Sequence, residues 1–240
     1  MLKNIYDKQV TTPFKHRSEI DGLRCVAVFP VIFFHAGFVK FFGGGYVGVD
    51  IFFVISGYLI STIILNDLTK KNFSLLNFYE RRARRILPAL YFVIILSFFF
   101  GYFWMLPDEF QNFGQSIVAT TLFSNNILLS LTNGYWVGAS EFKPLLHTWS
   151  LGVEEQYYIF FPVFLLLFWK YGKKWILISL LVLFLSSLIL AQWYSSNKPE
   201  VGFFVIQTRA WEILLGVFAS FYLRTFNERK FKNLLSLLGL

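Results

Sequence analysis

The sequence predicts an all-α, polytopic integral membrane protein, and three observations carry that expectation. Apolar residues fill 56% of the 240 positions and charged residues only 15%, whereas a soluble domain is about a quarter charged. Aromatic residues reach 21%, with 31 phenylalanines, more than one soluble core uses. Apolar runs also recur along the chain at close to the roughly 20 residues that a helix needs to cross a bilayer.

Six or seven membrane segments follow, at 22–40, 45–66, 87–106, 114–131, 150–169, 174–191 and 203–223. The stretch before the first, "MLKNIYDKQVTTPFKHRSEI", is too polar for the apolar region of a signal peptide, so the first segment is expected to be retained. A glycine-rich connection, "KFFGGG", turns the chain into the second. The third opens at Pro88, behind an arginine-rich connection at 67–86. The fourth is the most polar, with Gln115, Ser116, Thr120, Thr121, Ser124, Asn125 and Asn126. It is expected to be re-entrant or packed in a cavity, since lipid tolerates such backbone only where protein shields it. The fifth carries two adjacent acids near its start, and the last holds "TRAWEILLG". The final "NLLSLLGL" reads as the opening of a further span.

The net charge is +8 at pH 7, but the basic residues sit between apolar runs rather than on one amphipathic face. They therefore suit anionic lipid or a soluble anion, not nucleic acid. Lys3, Lys8, Lys15 and Arg17 place the N-terminus in the cytoplasm. The 67–86 connection belongs there too, and the clusters at 170–174 and 224–232 join it only if 114–131 fails to cross. The single cysteine, Cys25, excludes an intramolecular disulfide framework and is expected to be a small packing residue.

Three groups of residues suggest chemistry. Arg24 and His35 lie eleven residues apart in an apolar stretch, which puts them on one helical face about 16 Å apart along the axis. Each is costly in lipid, by roughly 2 kcal/mol or more. A turn near residues 42 and 43 would bring Asp50 level with His35, as a carboxylate orienting a base. The second group is "NFYERRARRILPAL", residues 77–90. Arginine forks grip phosphate in two-pronged fashion and stay charged, so this stretch is either an anion clamp or a plain topology anchor. The third is "PLLHTWSLGVEEQYYIFFP", where Glu154 and Glu155 enter a span. Under the topology above they enter from the outer face, near the depth of His35.

Taken in order, "RSEIDGLRCVAVFPVIFFH", "GGGYVGVDIFFVISGYLI", "FYERRARRILPAL", "LLHTWSLGVEEQYY" and "TRAWEILLG" resemble the acyltransferase-3 family of membrane O-acyltransferases, which includes O-antigen and polysaccharide O-acetylases. The resemblance implies one transmembrane domain over 1–240, C-terminally truncated relative to the family. It also implies a multi-pass location in the bacterial inner membrane. The implied reaction moves an acyl group, most often acetyl, from cytosolic acetyl-CoA to a saccharide hydroxyl. The acceptor would be a cell-surface saccharide, lipopolysaccharide included, or a lipid-linked one. The family's arginine–histidine pair matches Arg24 and His35, and its spaced arginine pair matches Arg82 and Arg85. Its acidic motif matches Glu154 and Glu155. The resemblance thus makes His35 the catalytic base or acyl carrier and the arginines donor contacts. No metal is called for. Two other classes compete: a transporter or channel, in which the polar stripe is a substrate path, and an inactive scaffold of the same family.

Overall fold

Apolar runs of this length can satisfy their backbone groups in lipid only as helices or closed barrels, and here they are helices. The computed structural model describes residues 18–132 and 143–225, and every regular element among them is α-helical. Among the described residues, five stretches are long and apolar enough to cross a membrane: Val47–Thr69, Leu75–Trp104, Thr148–Trp169, Lys173–Asn197 and Pro199–Arg224. The protein is therefore all-α and polytopic. The expected segments at 22–40 and 114–131 are not single long helices, and each has an identifiable stop. The described residues divide into two compact units, 18–73 with 212–225, and 74–132 with 143–211.

The first unit is built from α1 (Ser18–His35), α2 (Val39–Phe42), α3 (Val47–Thr69) and the later part of α10 (Ile206–Thr225). α1 ends at His35 because Gly37 takes a left-handed φ of 84°. The amide of Phe38 then bonds the Phe33 carbonyl and that of Gly37 the Phe34 carbonyl, a glycine stop common at helix ends. The chain so reverses several residues earlier than "GGG" suggests. α1 then packs on α3 at very short range. A Cβ added at Gly48 would lie 2.1 Å from the Ala27 carbonyl oxygen, and one at Gly45 would lie 2.2 Å from that of Pro30.

α3 and α10 approach equally closely through Gly57 and Ser61 on one helix and Gly216 and Ser220 on the other. A Cβ at Gly57 would meet the Ile213 carbonyl oxygen at 2.0 Å, and one at Gly216 that of Val54 at 1.9 Å. The Ser61 hydroxyl donates to Ser220 Oγ at 2.7 Å, and Ser220 donates onward to the Val217 carbonyl at 2.8 Å. Small residues spaced by four are how membrane helices gain packing where lipid supplies no hydrophobic drive. One turn further on, Arg224 bonds Asn66 Oδ1.

The second unit starts with α4 (Leu75–Trp104), followed by α5 (Pro107–Thr121), α6 (Asn125–Thr132), α7 (Thr148–Trp169), α8 (Lys173–Asn197) and α9 (Pro199–Phe204). α4 is one helix through Pro88, capped by Ser74, whose side chain accepts from the Asn77 amide. The arginines at 81–85 therefore lie on a helix, not in a connection. α5 turns back along α4: Phe110 meets Phe98 at 5.5 Å, and Ile117 and Phe123 pack on the cluster around Leu90 and Ile94. It stops halfway, where Phe123 adopts φ 53°. Ser124 N bonds the Ala119 carbonyl there, and Phe123 N that of Thr120.

The polarity of 114–131 is explained at this break. Thr120 lies 3.1 Å from Thr148 Oγ1, and Asn125 donates to Thr148 Oγ1 and to the Leu145 carbonyl. Asn126 donates to the Phe204 carbonyl, while Gln156 donates to Asn126 Oδ1 and to the Phe123 carbonyl. The segment is two short helices whose interrupted backbone is covered by protein. α7 thus begins near mid-α4, with Leu145 in the Leu90 and Ile94 cluster and Leu151 packed against it. From there it runs toward the start of α4, where Tyr79 donates to the Ile159 carbonyl at 2.8 Å. The basic clusters at 81–85 and 170–174 consequently lie toward one end of this unit.

Candidate functional site

Within the first unit, the unbroken course of α1 keeps Arg24 and His35 on one face. That face lies to the side of the stripe at Ala27, Pro30, Val31 and Phe34 that meets α3. Arg24 is about one-third exposed and pairs with Asp21 one turn earlier at 3.8 Å. His35 is exposed, and its Nδ1 lies 2.8 Å from the Val31 carbonyl oxygen. A carbonyl can only accept, so Nδ1 is the donor in this contact, and Nε2 is the ring nitrogen left for another partner. The contact fixes the orientation of the ring on α1.

Asp50 does not lie level with His35. The contacts of Gly45 with Pro30 and Phe34, and of Gly48 with Ala27 and Val31, set the antiparallel register of α1 and α3. That register places Asp50 near the level of residue 27, about 12 Å from His35 along the helix axis. The expected base–orienter pair is not formed, because Gly37 turns the chain earlier than residues 42 and 43. Cys25 is exposed rather than packed.

In the second unit, Arg82 turns inward from α4 while Arg85, one turn on, is exposed. The Arg82 guanidinium lies 4.8 Å from the Tyr158 ring centre and 5.8 Å from that of Phe78. Rings on the faces of a guanidinium attract its charge while leaving the N–H donors around its rim open. Tyr158 in turn donates to Glu154 Oε2 at 3.2 Å. Glu154 and Glu155 both lie within electrostatic range of Arg82, as does Arg85. Glu155 is 6% exposed, and its Oε1 has no hydrogen-bond partner among the described residues. On the solvent side, Arg84 pairs with Glu80 at 2.8 Å.

This geometry overturns the expected depth of the two glutamates. They do not sit far from the arginines, at an outer level. α7 starts in the middle of the unit, and just under two turns later its acids are beside Arg82. The sequence reading missed Tyr158, although its aromatic ring one turn after Glu154 was a usable signal.

Comparison with known proteins gives a consistent picture. The family model described as Acyltransferase domain, that of acyltransferase-3, matches residues 17–240. The chain is 35% identical over 214 residues to the peptidoglycan O-acetyltransferase OatA of Listeria monocytogenes, covering 86% of this chain and 34% of that protein. It is 31% identical over 216 residues to the O-acetyltransferase OatA of Staphylococcus aureus, covering 88% and 35%. An uncharacterized protein of Haemophilus influenzae is 34% identical over 203 residues, covering 80% of this chain and 82% of its own length. The chain thus spans about a third of the length of the OatA relatives it matches. No solved structure matches it significantly.

Proposed function

This chain belongs to the acyltransferase-3 family, and on that premise we propose that it is a membrane-bound O-acyltransferase. It moves an acyl group, acetyl in the first instance, from cytosolic acyl-CoA to a hydroxyl of a cell-envelope saccharide. The relatives' names support an O-acetylated glycan as product. The proposed setting is the bacterial inner membrane with the N-terminus in the cytoplasm.

The observation that carries this reading is the tethered imidazole of His35. With Nδ1 bonded to the Val31 carbonyl, Nε2 is left to accept a proton from the acceptor hydroxyl. The hydroxyl oxygen then attacks the thioester carbonyl, the carbon–sulfur bond breaks, and the imidazolium returns the proton to the departing thiolate. The alternative is attack by Nε2 itself on the thioester carbonyl, which breaks the carbon–sulfur bond and gives an acyl-imidazolium and the thiolate. The acceptor oxygen then attacks that carbonyl, the carbon–nitrogen bond breaks, and the hydroxyl proton ends on the thiolate. Base help of this kind is worth about 100- to 10,000-fold.

Arg82 and Arg85 are proposed as donor contacts, since rim donors on Arg82 suit a phosphate in two-pronged fashion. Arg24 is a further donor contact in this reading. Asp50 has no part in orienting the imidazole in this reading, since it lies about 12 Å from His35 along the helix axis. Glu154 and Glu155 are assigned here to the arginine site, where Glu154 steadies Arg82 through Tyr158.

Membranes carrying the protein, supplied with radiolabelled acetyl-CoA, test the proposal. Label should pass into a glycan fraction, and His35→Ala should lower that transfer at least about 100-fold while the protein still accumulates in the membrane. Unchanged transfer in His35→Ala would remove the histidine from the mechanism. Uptake of substrate without covalent label would favour a transporter.

A further inference from the structure

The polar residues of α5 fall into two sets with different fates. Those near the break, Thr120 and Thr121, are engaged: Thr120 with Thr148, and Thr121 with the Ile117 carbonyl. Those one to two turns earlier, Asn112, Gln115 and Ser116, make no side-chain hydrogen bond among the described residues. They line an open cleft formed by α5, α6 and the residues just before α7.

The floor of this cleft is apolar, from Phe113, Leu128, Leu129 and Pro144, and its rim holds one carboxylate, Glu109, and one ammonium, Lys143. Glu109 Oε2 also accepts from the Leu106 amide at 3.3 Å. With one charge of each sign among the described residues, this lining carries no net charge, so it does not suit a polyanion such as a nucleotide. With two amides and a hydroxyl unspent, it does not suit an acyl chain either, because those groups would lose their water without replacement.

We propose that this cleft is a binding site for the acceptor glycan. It would take a neutral, amide-bearing sugar residue, with its hydroxyls and amide on Asn112, Gln115 and Ser116 and a ring face on the apolar floor. The inference rests on the transferase reading above, and names the acceptor side of it. The placement is consistent with that division. The cleft lies beside the part of α4 around Phe98 and Gly101, some sixteen residues or about 24 Å along α4 from Arg82.

A binding measurement independent of turnover tests it. In a Cys25→Ser background, Ser116→Cys in membrane vesicles is labelled with a hydrophilic maleimide, with N-acetylated chitotriose as the probe. At ten times its Kd the glycan should slow labelling about tenfold, while Gln111→Cys on the same helix, outside the cleft, is unaffected. Adding Gln115→Leu should weaken the protection. No protection by chitotriose overturns the proposal. Protection by glycerophosphoethanolamine but not by chitotriose also overturns it, and assigns the cleft to a lipid headgroup. Because no acyl transfer is read, loss of protection and loss of transferase activity are separate outcomes.

Discussion

In the first unit helices meet backbone to backbone, whereas in the second they are held apart by rings and side-chain amides. Gly48, Gly57 and Gly216 each stand where a Cβ would come within 2.1 Å of a carbonyl oxygen. Gly152 of the second unit instead faces the side-chain oxygen of Asn126 first, which a Cβ would meet at 2.8 Å, with the Phe123 carbonyl further off at 3.2 Å, and Gly101 faces Met105 at 3.1 Å and the Phe113 ring at 3.3 Å. The candidate groups differ in the same way. His35 is exposed, with one bond to its own helix, and takes its position from how α1 is fixed on α3. Arg82 is placed by Tyr158 and Phe78, and Tyr158 by Glu154. A base on a backbone-locked helix can be rigidly placed with few side-chain partners, while an arginine set by rings depends on each of them.

The largest expected effect follows from the immovable contact. Gly57→Ala should destabilise the protein by about 3 kcal/mol or more, since overpacking against backbone cannot be relieved by rotamer change. Gly152→Ala should cost about 1–2 kcal/mol, because the Asn126 amide can shift at the expense of its bonds with Gln156. Gly101→Ala should be nearly neutral. Thermal unfolding of the three variants in one detergent would rank them, and an equal loss at Gly57 and Gly101 would undo the comparison.

A second test acts on the side-chain-built site. Tyr158→Leu removes the ring from Arg82 and should raise the donor requirement by roughly 3- to 30-fold, the range of a partly desolvated cation–ring contact. Tyr158→Phe keeps the ring and removes the hydroxyl that donates to Glu154, so its effect should stay within a few fold. Both leave the acceptor requirement unchanged. If Phe were as damaging as Leu, the hydroxyl rather than the ring would be what places Arg82.

The smallest effect concerns Lys143, at the rim of the cleft. Burial pulls its ammonium below the ordinary lysine range. A lowered pKa means a larger neutral fraction at mildly alkaline pH, so its stability cost falls as pH rises and its amine becomes more nucleophilic. Lys143 should therefore react with an acylating reagent a few times faster than an exposed lysine such as Lys170, as read by peptide mapping. Equal rates would mean that the cleft does not desolvate it.

Local sequence determined what depends on neighbours a few residues away. Composition and run length specified an all-α membrane protein, because only helices satisfy a backbone in lipid within a single segment. The helical repeat put Arg24 and His35 on one face, since α1 runs unbroken between them. The polar residues of 114–131 already marked it as something other than a plain span. Tertiary structure decided what depends on where separate helices stop and in which register they meet. Gly37 ended α1 early and moved Asp50 away from His35. Phe123 ended α5 halfway, α7 began at that level, and Glu154 and Glu155 came down beside Arg82. Those outcomes turn on a shift of a few residues between helices, which costs or gains energy only through packing between segments far apart in the chain. Periodicity within one segment carries no record of it.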